Sequence, residues 1–157
     1  MEPKTKVHAE AGKQELRVIR EFELPVDLLF KAYEEAEIVE QWMGTKVLKL
    51  ENQKHGSYQF EKIGNMGNKH RFNGTIHEFS PNVRIVRTFE MENTPFPVQL
   101  EFLDFEALTE ETSKLTMHII FRSLADRDQL LQLPFAQGIN GAHNRLQTIV
   151  NALKSNA

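Results

Sequence analysis

Residues 17–44 read RVIREFELPVDLLFKAYEEAEIVEQWMG, the pattern of one strand, a proline and two short helices. Pro25 ends the strand and opens the first helix, because its fixed φ and missing N–H suit the first helical position. The second helix runs to Trp42, the only tryptophan, and Gly44 can close it in a left-handed conformation. From Lys46 onward the apolar pattern has the two-residue period of strands, until a final amphipathic helix. This order of elements predicts an α+β fold.

The composition of the chain excludes several classes of function. The 157 residues carry a net charge of −3 with no basic stripe, so nucleic-acid binding is not expected. No apolar run approaches the ~20 residues of a membrane span, which predicts no span. There is no cysteine, no metal-ligand spacing among the six histidines, and no phosphate-binding or nucleophile motif, so neither metal nor cofactor is predicted. The absence of disulfides and of a signal peptide indicates a cytoplasmic protein.

The length favours one domain. Residues 1–14 are polar and predict a flexible tail or a loosely docked arm, and residues 15–157 form the single domain. The last helix carries an apolar stripe that needs a broad apolar partner, and a six- or seven-stranded antiparallel sheet is the candidate. The stripe consists of Phe135, Ile139, Ala142, Leu146, Ile149 and Leu153.

One strand, from Val98 to Ala107, changes the parity of its apolar residues. Leu100 and Phe102 share one face, whereas Leu103 and Phe105 share the other. Either a bulge lies near Phe102 and Leu103, or the strand is buried on both faces. We favour the bulge, because a curved sheet needs one.

Several short motifs follow one another along the chain in a fixed order. They are residues 20–25 (REFELP), 30–32 (FKA), 39–42 (VEQW), 74–78 (GTIHE) with Pro81, 84–89 (RIVRTF), 138–141 (GING) and Leu146. In this order they resemble the motifs of the START-like, or SRPBCC, superfamily, and within it the chain is most similar to the family of the activator of the heat-shock protein ninety ATPase. The resemblance implies a helix-grip fold, in which a curved antiparallel sheet surrounds a long C-terminal helix and two short helices follow the first strand.

The fold resemblance and the many aromatic residues favour a non-enzymatic domain that binds a small hydrophobic or amphipathic molecule between the sheet and the last helix. The alternatives are a co-chaperone-type regulator with a chaperone as its partner, active in the stress response, and a cavity enzyme of the cyclase or hydrolase type. Either a monomer or a homodimer is compatible with the sequence. The expected ligand-binding residues are Arg20, Trp42, Phe60, Phe72, Ile76, Phe89, Leu100, Phe102, Met117, Phe135, Ile139 and Leu146. No catalytic residue is assigned.

Four polar or small residues have two interpretations each. Arg20 interrupts an otherwise apolar strand column, so it either forms an internal salt bridge to a strand glutamate or anchors an anion in the pocket. His143 borders the apolar stripe of the last helix, and a partly exposed position is favoured over one in a cavity wall. Gly138 and Gly141 indicate either a cavity-lining surface or close packing against large side chains.

Overall fold

The computed structural model describes residues 3–64 and 66–155, with a single antiparallel sheet and four helices in these ranges. The predicted α+β, helix-grip class is confirmed. Sheet order is β1-β2-β8-β7-β6-β5-β4-β3. The strands are β1 Lys6–His8, β2 Glu15–Phe22, β3 Lys46–Leu50, β4 Ser57–Ile63, β5 Lys69–Ser80, β6 Arg84–Met91, β7 Gln99–Ala107 and β8 Ser113–Ile120. The helices are α1 Val26–Glu34, α2 Ala36–Met43, α3 Leu124–Leu131 and α4 Phe135–Ser155.

The segment from β2 to α2 forms as its sequence predicts. Pro25 is the residue before α1, and its carbonyl accepts the first hydrogen bonds of that helix. Gly44 ends α2 with φ 65° and ψ 37°, the left-handed conformation that a residue without Cβ adopts at low cost. The indole N–H of Trp42 donates to the carbonyl of Ala32 at 2.8 Å. This bond ties α2 to α1 and holds the indole ring at one end of the core.

An additional strand raises the count to eight, one more than the predicted range. Lys6–His8, within the segment predicted as a tail or a docked arm, pair antiparallel with β2 as edge strand β1. Thr5 just before it is buried, and its backbone N–H donates to the side chain of Asn140 on α4. The arm therefore contacts both the sheet and the last helix, and it covers part of α4.

The bulge predicted near Phe102 and Leu103 is wrong. The ladders of β7 with β6 and with β8 run in continuous register, and both faces of the strand carry apolar residues because both are partly covered. Register shifts occur instead in β3, between Val47 and Lys49, and in β5, between Ile76 and Glu78. These irregularities bend the far half of the sheet, where bulges increase the twist.

The two C-terminal helices begin at recognisable signals. Ser123 caps α3 by accepting from the N–H of Asp126 at 3.1 Å, as their spacing predicts. Pro134 directly precedes α4 and breaks the chain between the two helices. Leu146 and Val150 of α4 are fully buried in the main core. Within the described part of the chain, no helix has the length and apolar character that crossing a membrane requires.

Candidate ligand cavity

A cavity of about 340 Å³ lies between α4 and the concave face of the sheet. Both short helices contribute to one end, and α3 contributes Leu130. Most of the lining is aromatic or aliphatic, and Lys62 and Arg145 are exposed members that face solvent. The full lining is Tyr33, Trp42, Met43, Lys62, Arg87, Phe89, Met91, Gln99, Glu101, Met117, Ile119, Leu130, Phe135, Gly138, Ile139, Ala142, His143 and Arg145.

Five residues predicted to bind the ligand lie together around this cavity. They come from α2, β6, β8 and the first half of α4, elements that are distant in sequence. These residues are Trp42, Phe89, Met117, Phe135 and Ile139. Trp42 is 4% exposed and contacts Tyr33 edge to face at 5.1 Å, so the two rings form one rigid end of the chamber.

The remaining predicted apolar residues occupy other places. Phe60 and Ile76 are buried in a second apolar cluster at the far end of the sheet, where Phe72 packs against them and stacks on Phe89 at 5.6 Å. Leu146 is fully buried in the main core. None of the four lines the cavity, although Phe72 supports a ring that does.

Leu100 and Phe102 lie on the opposite face of β7. Glu101, Leu103 and Phe105 are the buried residues of this strand, and alternation directs the residues between them away from the cavity. The ring of Phe102 lies 6.1 Å from that of His118. Because β7 has no bulge, its side chains alternate between the two faces without a break. Leu100 and Phe102 therefore face away from the cavity.

A buried ion pair forms the polar part of the cavity wall. Nε of Arg87 on β6 donates to Oε1 of Glu101 on β7 at 3.2 Å, and their side chains are 10% and 6% exposed. The amide of Gln99 donates to the other carboxylate oxygen at 2.9 Å. The guanidinium carbon of Arg87 lies 5.0 Å from the ring centroid of Tyr58. This buried part of the wall is therefore polar but neutral, because the two charges meet each other.

His143 is a second polar group at the inner wall, and its predicted partial exposure is wrong. The side chain is 1% exposed, because the N-terminal arm covers the flank of α4 on which it lies. Burial and the nearby Arg20 lower the pKa of His143 to about 3, so the ring is neutral. Nδ1 lies 2.9 Å from the hydroxyl oxygen of Thr5, whereas Nε2 is buried without a partner among the described residues.

The hydrogen bonds around Thr5 favour one tautomer of His143. Nη1 of Arg20 donates to Oγ1 of Thr5 at 3.0 Å. The hydroxyl oxygen can accept from both neighbours, but its own hydrogen finds an acceptor among the described residues only when it points to Nδ1 of His143. In that tautomer Nε2 bears the ring hydrogen and is a buried N–H without a partner among the described residues.

Arg20 does not line the cavity. Its side chain is 3% exposed and lies behind His143, between β2 and α4. No carboxylate of the described residues is within 4.0 Å of it, so the predicted internal salt bridge is absent from that part of the chain. The predicted anchor inside this cavity lacks support as well, because the guanidinium faces a different surface.

The glycines of α4 are not required by close packing. A Cβ added at Gly138 would meet nothing within 4 Å, and one added at Gly141 would meet only the flexible end of Arg145 at 3.7 Å. Packing against large side chains therefore does not explain them. Gly138 lines the cavity, where the missing side chain leaves space.

Sequence reasoning missed Arg87, Glu101 and His143 as cavity residues. The sequence does contain a signal for Arg87 and Glu101. Arg87 lies two residues after the buried Ile85 on β6, and Glu101 lies two residues before the buried Leu103 on β7, so each shares the inward face of its strand. An apolar column interrupted by one charged residue had been noted only at Arg20. His143 gave no comparable signal, because its burial depends on an arm that is distant in sequence.

Solved structures with the same fold come from several bacteria. A protein from Mycobacterium smegmatis superimposes with a TM-score of 0.82 at 18% identity, over 92% of this chain and 95% of that one. For a protein from Rhodobacter sphaeroides the TM-score is 0.84 at 16% identity, with coverage of 94% and 99%. One from Arthrobacter aurescens gives 0.84 at 14% identity, with coverage of 94% and 91%. Identities this low establish the fold and nothing finer.

No curated protein matches the chain at a significant level. A family model described as "Activator of Hsp90 ATPase homolog 1-like protein" matches residues 23–151, which include both short helices, most of the sheet and nearly all of α4. This family and its fold support, in general terms, a domain that binds a ligand or regulates a partner. The chain belongs to the Activator of Hsp90 ATPase homolog 1-like family, within the START-like superfamily.

Proposed function

We propose that this protein is a non-enzymatic domain that binds one small hydrophobic or amphipathic molecule in the cavity between the sheet and α4. The observation that carries the proposal is the cavity itself, about 340 Å³ in volume and walled mainly by aromatic and aliphatic side chains. Ligand pockets occupy roughly 300–1,000 Å³ and combine apolar walls with a few placed polar groups. The volume suits a ligand the size of two fused aromatic rings with a short substituent.

The polar groups favour a ligand that brings a hydrogen-bond acceptor. Arg87 and Glu101 neutralise each other, and Arg145 donates to the carbonyl of Trp42 at 3.1 Å. His143 also lines the cavity, and in the tautomer that accepts from the Thr5 hydroxyl its buried Nε2–H has no partner among the described residues. A carbonyl oxygen on an apolar body would satisfy that N–H, whose burial without a partner is unfavourable.

Binding is tested with 2-acetylnaphthalene, followed by the fluorescence of Trp42, the only tryptophan, and by native mass spectrometry. Ala142→Leu adds a side chain inside the cavity and is expected to weaken binding about tenfold or more, since overpacking a filled site costs 1–3 kcal/mol. Ala136→Leu, at an exposed position of the same helix, is the matched control and leaves affinity unchanged. Equal affinities in the two variants, or no binding to the wild type, would refute the proposal.

The donor role of His143 is tested with a matched pair of probes. 2-Isopropenylnaphthalene has the shape of 2-acetylnaphthalene but carries a methylene group in place of the carbonyl oxygen. The wild type is expected to prefer the ketone by about three- to tenfold, the contribution of one neutral hydrogen bond. His143→Phe keeps a ring and removes the N–H, so it abolishes the preference. A preference that persists in this variant contradicts the donor role.

A further inference from the structure

A second, polar groove of about 450 Å³ lies outside the cavity, where the N-terminal arm meets α4. Its walls are Lys4, Arg20, Asn140, Asn144, Gln147 and Thr148, together with Pro3. The lining thus contains two cations, amides and a hydroxyl, and none of these described residues is acidic. Lys4 also lines an adjoining groove. Glu21 and Glu23 line that adjoining groove and not this one.

No acidic residue of the described ranges balances the charge of Arg20. Nη1 donates to Oγ1 of Thr5 at 3.0 Å and to Oδ1 of Asn140 at 3.4 Å, and both acceptors are neutral. Nε is buried without a partner among the described residues. Burial lowers the pKa of Arg20, as it does for a cation without an anionic partner. The residue Arg20 is 3% exposed, and a buried cation that has no anionic partner among the described residues is costly, so a bound anion would relieve the cost.

Other donors lie at the same groove. Oδ1 of Asn140 accepts from the backbone N–H of Thr5 at 3.0 Å as well as from Arg20, which fixes the amide and leaves its Nδ2 hydrogens to donate elsewhere. Lys4 on the arm and Asn144 on α4 are exposed, and both line the groove. The amide of Gln147 is held by the backbone of residue 23, donating to its carbonyl and accepting from its N–H, and so acts as a fixed wall.

We infer that this groove binds a small oxyanion, the carboxylate or phosphate group of a small molecule, through Arg20, Lys4 and the amide of Asn140. Charge-assisted hydrogen bonds of this kind are about twice as strong as neutral ones. The site is separate from the apolar cavity, since Arg20 lines only the groove. The two linings share no residue.

The experiment titrates the intact protein with inorganic phosphate and, separately, with acetate, at constant ionic strength kept with sodium chloride. The signals followed by nuclear magnetic resonance are Nε–H of Arg20 and the side-chain amide of Asn140. A saturable shift of both signals with either anion supports the inference, and the tighter anion identifies the group. No saturable shift with either anion overturns it.

Substitutions locate the binding. Asn144→Asp places a carboxylate in the groove and is expected to weaken anion binding at least about tenfold by like-charge repulsion. Gln53→Glu adds the same charge at an exposed position in the turn between β3 and β4, at the other end of the sheet from β1, and should change affinity less than about twofold, because salt screens distant charges. Lys4→Gln is expected to weaken binding about threefold, as for an exposed charge. Equal effects of the two acidic substitutions would overturn the site.

Glu2 precedes the groove residues Pro3 and Lys4 in the sequence and lies outside the described residues. Its substitution tests whether the carboxylate of Glu2 competes with the added anion. In Glu2→Gln the anion is expected to bind as in the wild type. A shift that appears only in this variant would mean that the chain supplies the anion itself, and it would overturn the inference.

Discussion

Separating the buried pair of Arg87 and Glu101 is expected to cost far more stability than separating a surface pair on the same two strands. The side chains are 10% and 6% exposed and joined at 3.2 Å, so either residue alone would be a nearly dehydrated charge. Removing one partner of such a pair destabilises by about 3–5 kcal/mol. Arg87→Met and Glu101→Leu should each fall in that range, which a domain stabilised by roughly 5–15 kcal/mol survives.

The double substitution should recover most of that loss. Arg87→Met with Glu101→Leu replaces both charges by apolar groups beside Tyr33 and Met117, which also line the cavity. Replacement of a whole buried pair is often neutral, so the double variant is expected within about 1 kcal/mol of the wild type. The two single effects are then strongly non-additive, with a coupling of about 5 kcal/mol or more.

Urea unfolding followed by Trp42 fluorescence measures these free energies at neutral pH. The control is Arg84 with Asp104, a pair on the same strands whose side chains are 45% and 41% exposed. Arg84→Met should cost less than about 1 kcal/mol, as exposed pairs do. If Arg87→Met costs no more than this control, water in the cavity solvates the guanidinium and the reasoning fails.

Three further predictions concern single positions. Gly138→Ala should stabilise by about 0.5–1 kcal/mol in thermal or urea unfolding, because the added Cβ meets nothing within 4 Å. Gly74→Ala should destabilise by about 1–3 kcal/mol, because its Cβ would overlap the carbonyl of Thr88. A loss of stability in Gly138→Ala would contradict the open space at that position. Gly44→Ala should cost about 1 kcal/mol from its φ of 65° alone, and Gly44→Asn less, measured in the same way. The pKa of His143 is about 3 when folded and 6.5 when free, so only the unfolded chain gains this proton as the pH falls below about 6.5. Between pH 7.5 and 5 the wild type should therefore lose about 2 kcal/mol more than His143→Gln, and equal losses would contradict the burial.

Local signals in the sequence were sufficient for much of the fold. Pro25, Gly44 and the Ser123 cap each act on their own neighbours, so their effects can be read from a few residues. The β7 strand was misread because apolar residues on both faces resemble a bulge, and only the partners on each side distinguish the two cases. Leu100 and Phe102 were consequently placed on the wrong face.

The candidate site depended more on long-range contacts. Five of its aromatic and aliphatic residues follow from periodicity together with the family resemblance. His143 could not be placed, because its burial arises from Thr5, 138 residues away. Arg87 and Glu101 were missed for a different reason. Charged residues in strands usually face solvent, and only the two-residue alternation with buried neighbours such as Ile85 and Leu103 shows that these two face inward.

Two inward-facing arginines show how the same sequence pattern can lead to different chemistry. Arg87 meets a carboxylate from the next strand, so the cavity beside it is neutral and suits an apolar ligand. Arg20 meets a hydroxyl and an amide oxygen, which accept hydrogen bonds without cancelling its charge. The hydrogen-bond chain from Arg20 through Thr5 to His143 still connects a groove residue with a cavity residue, because it favours the tautomer of His143 with the hydrogen on Nε2. Thr5→Val would remove that chain and its preference for one tautomer, whereas Thr5→Ser would preserve both. The arm that carries Thr5 therefore helps to position His143 as well as to form the groove.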